Sequence, residues 1–565
     1  MSLKPQTIPP VPDHTASVAR AAFPKGTIAI RLRDELGAIY QDELFATLYP
    51  PRGQPAAAPW RLALVSVLQF LEGLPDRQAA DAVRGRIDWK YALSLDLADP
   101  GFDFSVLSEF RSRLVAGEQE ALLLDILLMR LKEAGLVKAG GRQRTDSTHV
   151  LAAIRGLNRL ETVGETLRAA LNHLAEVAPA WLTERIAPDW FERYGRRVEE
   201  YRLPKGEAAR TVLAEQIGRD GHQILAGVYA ADAPTGLRSL PAVQALRRTW
   251  IHQFYTEDDQ VRWRTAAELP PAGQRHDSPY DVEAHYGNKR SATWVGYKVH
   301  LTETCDAEVP HLITHVDTTF APVSDIDRTA PIHTAVTARG LAPSVHFVDA
   351  GYVDVSVLLS SQAEHGIEMV GPVRPDASWQ GKTNQGYDLS AFAIDWEARM
   401  VTCPQGQTTT CWVPKTDGWG NAVIHVRFPS RLCTPCPERA RCTQAKTSPR
   451  NLTFRLRPEH EALQEARRRQ KTDEWRHRYA TRAGVESTLA QALQIFDLRR
   501  CRYIGLAKTR LQHVLTAVAL NLVRLEAWWT DQPLAKTRVS RFAALRLSMA
   551  EVLQFANSVR CYSEP

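Results

Sequence analysis

The chain has 565 residues, enough for about three or four domains' worth of structure. Hydrophobic residues make up 44% and charged residues 24%, a balance that excludes a disordered chain. The formal net charge is +6, yet the stretch Asn451 to Arg510 alone holds 14 Lys and Arg against 7 Asp and Glu, so nucleic acid is the first partner to consider.

The opening MSLKPQTIPPVPDH is Pro-rich and lacks the apolar core of a signal peptide, so residues 1–25 are expected to be an extended arm of a cytoplasmic protein. Residues 26–139 pattern as helices. Leu62 to Leu71 is a dense apolar run, Asp76 to Trp89 and Ser105 to Leu114 are amphipathic, and Pro50, Pro51 and Pro59 punctuate the segment. A small helical domain results, equally suited to touching DNA or to packing on the next domain. After Gly140 and Gly141, RQRTDSTHV (142–150) reads as a strand with Asp146 at or near its end. Residues 155–275 return to helix, with Leu157, Leu160, Leu167, Leu171 and Leu174 at spacings of three, four or seven, and carry no motif.

From Ser278 strands and helices alternate. Thr293–Thr302 and His311–Thr318 read as strands with Asp306 and Pro310 in the turn between them, and Asp325–Arg339 as a helix. Val345–Asp349 reads as a buried strand tipped by a carboxylate, Val353–Gly366 as a helix and Glu368–Val373 as a strand. This alternation predicts an α/β layer architecture. Residues 375–450 interrupt it with turns, polar residues and most of the cysteines. Lys471 to Leu493 reads as one helix, on which Tyr479, Arg482 and Glu486 share a face while Val485, Leu489 and Leu493 form an apolar stripe. Gly505–Trp529 is a further helix. Its Leu511–Leu525 run is the most apolar in the chain, but Gln512, His513, Asn521 and Arg524 exclude a membrane span. A basic linker (Lys536, Arg538, Arg541) leads to a last helix near 545–558 in a tail spanning 531–565.

Two constellations carry chemistry. Asp146 and Asp349 each lie at a strand, and a helix packed across their common edge would add Glu486. Three carboxylates suit Mg²⁺, which takes oxygen ligands, and a pair of such ions activates an attacking oxygen while stabilising the leaving one. The second constellation is Cys403, Cys433, Cys436 and Cys442, within CPQG and CTPCPERARC. A Cys-x-x-Cys turn presents two thiolates to one tetrahedral Zn²⁺, other cysteines complete it, and such a site folds a module too small for its own core. Gly406 and Pro437 suit the turns, Cys411 is a spare ligand, and Cys305, Cys501 and Cys561 are expected to be ordinary thiols. His149 and Lys298 are left out of the catalytic set.

Taken in order, RTDSTHV, VHFVDAGYVD and YATRAGVES resemble the three catalytic blocks of bacterial insertion-sequence transposases of the DDE class. Tyr479, two residues, Arg482, three residues and Glu486 match that family's Tyr-Arg-Glu signature. The signature's following Lys is replaced by Leu493, with Arg499, Arg500 or Lys508 as possible substitutes. SPYDVEAHYG, WVGYKVHLTETCD and PWRLALVSVLQFLEGLPDRQAADAVRGRIDWKYAL are similar to further blocks of one subgroup, which often carries a cysteine cluster as well. The resemblance spans roughly residues 25–530. It implies an RNase H-like mixed sheet over 140–530, with a helical insertion (155–275) and a Cys-rich zinc-binding insertion (375–450), preceded by an all-α N-terminal domain. It also implies Asp146, Asp349 and Glu486 as catalytic ligands of Mg²⁺ or Mn²⁺, with Tyr479, Arg482 and the later basic residues on double-stranded DNA. The expected activity is cleavage at terminal inverted repeats and strand transfer into target DNA by a homo-oligomer, in a bacterial cytoplasm at the nucleoid. A structure-specific nuclease of the same fold, and a zinc-containing DNA-binding regulator derived from an inactive transposase, are the alternatives.

Overall fold

The structure is a computed structural model that describes residues 1–289, 292–383 and 385–532. The basic linker at 536–541, the helix expected near 545–558 and Cys561 lie outside the described residues.

The N-terminal region is helical from further upstream than its prolines suggest. Asp13–Ala22 is a helix, not part of an extended arm, because Pro12 precedes a run of good helix formers whose Ala19 packs on Ile30 and Tyr91. The apolar run forms helix α1 (Pro59–Glu72), started by Pro59 and ended by Gly73 in the left-handed region. Asp76 to Trp89 divides into two helices, Asp76–Gly85 and Ile87–Ala92.

Two more helices, Ser105–Ala116 and Leu122–Glu133, lead to strand β1 (Arg142–Leu151), and then comes the insertion. Within it, α2 (Arg159–Val177) is closed by an Asn158–Glu161 capping box, and α3 (Glu207–Tyr229) and α4 (Pro241–Gln253) pack on α2. Leu160, Leu167 and Leu174 meet Trp181, Trp250 and Phe254 in a core separate from that of the sheet. A short hairpin, Phe254–Glu257 with Gln260–Trp263, closes the insertion.

The chain then returns to the sheet with β2 (His285–Lys289), β3 (Ala292–Thr304) and β4 (Ile313–Phe320). After α5 (Ile326–Ala338) come β5 (Val345–Phe347), α6 (Val355–His365) and β6 (Glu368–Val370). Strand β3 lies antiparallel to β1 on one side and to β4 and β2 on the other. Beyond β1, β5 and β6 run parallel to it. The sheet is therefore mixed, as expected for an α/β chain, with β1 and β5 as neighbours.

Between residues 375 and 455 two small three-stranded sheets enclose Phe392, Val401, Ile424, Phe428 and Phe454. After the basic helix Arg457–Arg469 come α7 (Asp473–Ala480), α8 (Gly484–Phe496) and the long α9 (Leu506–Trp529).

Helix α9 joins the molecule together. Its Leu511, Leu515, Val518, Leu522 and Leu525 share one core with Trp60, Leu68 and Phe70 of α1 and with Tyr297, Leu301 and Ile313 of the sheet. Each such side chain contributes about 1.5–3 kcal/mol by leaving water. The polar residues that interrupt its apolar run each find a partner, although His513 Nε2 is buried without one. Asn521 accepts from Ile313 N–H (2.7 Å) and donates to Ile313 C=O (2.9 Å), and His513 Nδ1 lies 2.8 Å from Thr318 Oγ1. Such pairing satisfies buried polar groups at the sheet edge. Among the described residues, no helix is long and apolar enough to cross a membrane.

Candidate active site

Register brings the first two carboxylates together. On β1, Arg144 stands beside Phe347 of β5, and this is the last rung of their parallel ladder. Two residues further along each chain come Asp146 and Asp349. Asp146 does not end its strand: β1 runs on to Leu151 against β3, with Asp146 opposite Leu301. What ends at this level is β5, so Asp146 stands at a notch in the sheet rim. Asp349 leaves the ladder and caps the turn Ala350–Tyr352, accepting from Gly351 N–H at 2.8 Å.

The third carboxylate arrives on helix. Lys471–Leu493 is not one α-helix: α7 and α8 are joined by a tighter 3₁₀ turn, Thr481–Ala483. The cause is visible in the packing. Arg144 Nη1 donates to the carbonyl of Thr481 (2.8 Å), and Gly484 lies so close over the same guanidinium that a Cβ there would come within 2.0 Å of Nη1. A buried cation has drawn the backbone in, and only glycine permits that approach. The backbone stays right-handed throughout, so Arg482 and Glu486 keep their four-residue spacing on one face.

Arg482 is the point on which the carboxylates converge. Its Nη2 donates to Asp146 Oδ2 at 2.6 Å and lies 4.0 Å from Asp349 Oδ2, and its Nη1 donates to Glu486 Oε1 at 2.7 Å. The side chains of Asp146 and Arg482 are 11% and 13% exposed, Asp349 30% and Glu486 64%, so the site has a buried floor and opens to solvent at Glu486. Burial raises the Asp146 pKa, with Asp349 adding to it and Arg482 and the Ser147 amide opposing. For Arg482 burial works downward, but Asp146, Tyr479, Asp349 and Glu486 outweigh it and the net shift is upward. Arg482 Nε is buried without a hydrogen-bond partner. Carboxylates are the oxygen donors a divalent ion takes, but here the three are drawn onto a guanidinium, and among the described residues no three His, Cys, Asp or Glu stand close enough to hold an ion.

Tyr479, one turn before Arg482, stacks on Trp475 (centroids 4.7 Å apart) and packs against Phe347 and Val370 at the end of the sheet. Burial raises its pKa. The later basic residues do not join the carboxylates. Arg499 donates from Nε to Thr148 Oγ1 (2.8 Å), Arg500 is exposed and 3.9 Å from Asp497, and Lys508 is exposed near the start of α9.

Sequence reasoning passed over a fourth carboxylate. Asp325 lies beneath the Asp349 turn, accepts from Ser147 Oγ at 3.2 Å, and is paired with Lys298 Nζ at 2.9 Å. Lys298 is thereby held in an ion pair beside the carboxylates. His149 packs at a tilt against Trp294, ring centroids 5.2 Å apart. No spacing rule connects Asp325 to Asp349; only the loop geometry does.

Cys403, Cys433, Cys436 and Cys442 line a single cavity with Phe392, Phe428, Arg439 and Arg450. Burial raises the Cys442 pKa, Arg450 opposes the rise, and the other three thiols reinforce it. Gly406 takes the left-handed conformation in the turn after Cys403. The set is right in chemistry, yet among the described residues no three His, Cys, Asp or Glu stand close enough to hold an ion. Cys411 does not line the cavity, and Cys305 and Cys501 are buried, with thiols pushed up to about 12 and about 11.

Two segments match known families. Residues 402–526 match one described as "Transposase DDE domain", and residues 18–113 match "Transposase domain (DUF772)". The first match contains Glu486, Arg482, Tyr479 and the four cysteines; Asp146 and Asp349 fall outside both. No curated protein matches the chain.

Proposed function

Starting from an insertion-sequence transposase of the DDE class, which both family matches support, we propose that the chain cuts DNA at the terminal inverted repeats of its own element and joins the freed ends to target DNA. The observation that carries this reading is the meeting of Asp146, Asp349 and Glu486, 340 residues apart at the extremes, on the guanidinium of Arg482. The strand order, with β3 antiparallel to β1 and β5 and β6 parallel beyond it, supports an RNase H-like sheet for 140–530.

Asp146, Asp349 and Glu486 would hold Mg²⁺ or Mn²⁺, which when bound supplies activation of the attacking oxygen and stabilisation of the leaving one. Asp146 forms the rigid floor, fixed by its strand on the β3 side and by Ser147 N–H at 2.7 Å. Glu486, mostly exposed, is the ligand with freedom to adjust as DNA arrives. Tyr479 and, once a divalent ion takes over the carboxylates that now hold its Nη1 and Nη2, Arg482 would contact a backbone phosphate. Arg500 and Lys508, exposed at the surface, extend the phosphate contacts, with Arg499 on the same segment. Zn²⁺ on Cys403, Cys433, Cys436 and Cys442 would require those thiols to close in from the spacing they have here, and the protein acts as a homo-oligomer on its two DNA ends, in the cytoplasm.

The test uses DNA carrying the short inverted repeats that flank the gene. With Mg²⁺ the protein should nick the element end and join it to a second duplex. Asp146→Asn, Asp349→Asn and Glu486→Gln should each lower cleavage by at least about a thousandfold while DNA binding persists. Full cleavage by any of the three removes that residue from the set, and cleavage without joining would instead indicate a nuclease.

A further inference from the structure

Two residues before Asp146, on the same face of β1, stands Arg144, whose side chain is 7% exposed. Arg144 Nε donates to Glu303 Oε1 at 2.6 Å, and Glu303, on β3, is fully buried. The other oxygen of Glu303 accepts from Arg524 Nη1 of α9 (2.6 Å) and from Thr488 Oγ1 of α8 (2.7 Å), while Arg524 Nη2 donates to that same hydroxyl at 2.6 Å. Two guanidinium groups thus share one carboxylate, and the surplus donors need other acceptors. Arg144 finds the carbonyl of Thr481, and Arg524 that of His311 (2.7 Å).

The consequence falls on α8. Gly484 and Thr488, four residues apart, lie on the face turned to this cluster, one against Arg144 and the other hydrogen-bonded to Glu303. Glu486 is midway between them and, at about 100° per residue, points to the opposite side. Contacts at 484 and 488 therefore set the rotation of the helix, and that rotation sets where the Glu486 carboxylate goes. The adjoining turn is tied twice to β1, by Arg144 to the Thr481 carbonyl and by Asp146 to Arg482.

We propose that the buried Arg144–Glu303–Arg524 cluster is a positioning device, acting through Gly484 and Thr488, that aims Glu486 and Arg482 at Asp146 and Asp349. The inference rests on Glu486 being a metal ligand. None of the three cluster residues touches the substrate. A buried ion cluster that merely holds the fold would affect stability alone, whereas a positioning device also changes the affinity of the site for a cation.

Removing Arg144 or Glu303 leaves unpaired charge in the core and endangers folding, so the test uses Gly484→Ala and Thr488→Val in the full-length chain, with Glu486→Gln for comparison. A Cβ at 484 must displace either the guanidinium or the helix. Binding of Mn²⁺ alone is followed by electron paramagnetic resonance, and the Glu486–Arg482 geometry by crystallography of the same variants. Gly484→Ala is expected to raise half-saturating Mn²⁺ by about tenfold or more and Thr488→Val by several-fold, with the secondary structure intact and the Glu486 carboxylate shifted away from Arg482. Wild-type Mn²⁺ affinity in both variants, when Glu486→Gln has lost affinity, overturns the positioning role and leaves Glu486 a ligand. Wild-type affinity in Glu486→Gln removes Glu486 from the ligand set; the positioning role then stands or falls on the crystallographic shift alone.

Discussion

Arg482 is the residue on which the site depends, because it supplies a cation to three carboxylates that would otherwise repel one another. Replacing it with Gln leaves the Asp146 carboxylate uncompensated in a largely buried position, which costs on the order of 3 kcal/mol. A divalent ion can restore that compensation. Thermal unfolding of Arg482→Gln should therefore show a lowered midpoint without divalent cations and a larger gain on adding Mg²⁺ than the wild type shows; equal gains would mean that the guanidinium does not stand in for a cation. The residues of this site were unevenly legible in the sequence. Asp146, Asp349, Arg482 and Glu486 lie within blocks whose resemblance to a transposase family, and not their spacing alone, pointed to their meeting. Arg144, Glu303 and Asp325 carry no such signal, since their roles depend on β1–β3 register, a helix crossing and a loop fold that spacing does not encode.

At the scale of elements, the strands after Ser278 were readable because they either alternate, as Thr293–Thr302 does, or form a short apolar run, as Val345–Phe347 does. Two elements departed from that reading. Lys471–Leu493 lacks any breaker except Gly484, so nothing local marks the tight turn that Arg144 imposes from another strand. Asp13–Ala22 is helical although prolines stand close before it, since the helix begins only after Pro12 and is held by packing on Ile30 and Tyr91. The Cys-rich element makes its own prediction. If four thiolates close on Zn²⁺, the purified protein carries about one zinc per chain, and Cys436→Ser together with Cys442→Ser abolishes it and makes residues 403–442 a preferred site of limited proteolysis. Zinc-free protein whose segment resists proteolysis would leave the small apolar core around Phe428 as the sole source of its stability.

Across the whole molecule, the N-terminal helices and the six-stranded sheet share one core through α9. A chain starting at residue 140 would expose the faces of α9 and the sheet that Trp60, Leu68, Phe70 and Phe110 cover, and should be insoluble or molten; a well-folded, soluble 140–532 fragment would show that the shared core is dispensable. The same interior is acid-sensitive. Burial lowers the pKa of His300 and His333 to about 4 and of His315 and His513 to about 3, and that of His346 well below its ordinary value. These groups stay neutral in the folded state but take up protons below about pH 6.5 on unfolding. Their contribution is thus intact above pH 6.5 and is lost as pH falls toward 4, by roughly 1 kcal/mol per histidine for each unit of pH in that window. Denaturant midpoints should drop steeply between pH 6.5 and 5; a flat profile would require these histidines to be solvated.

The meeting of three carboxylates at one cation site is tested most directly by loading the protein with Fe²⁺ and generating hydroxyl radicals with ascorbate, which cut the backbone beside the bound ion. The expected result is three cuts, near Asp146, Asp349 and Glu486, all suppressed by excess Mg²⁺ and all lost in Asp146→Asn. Cuts near only one of the three, or cuts that survive the loss of Asp146, would mean that these side chains do not form a common site.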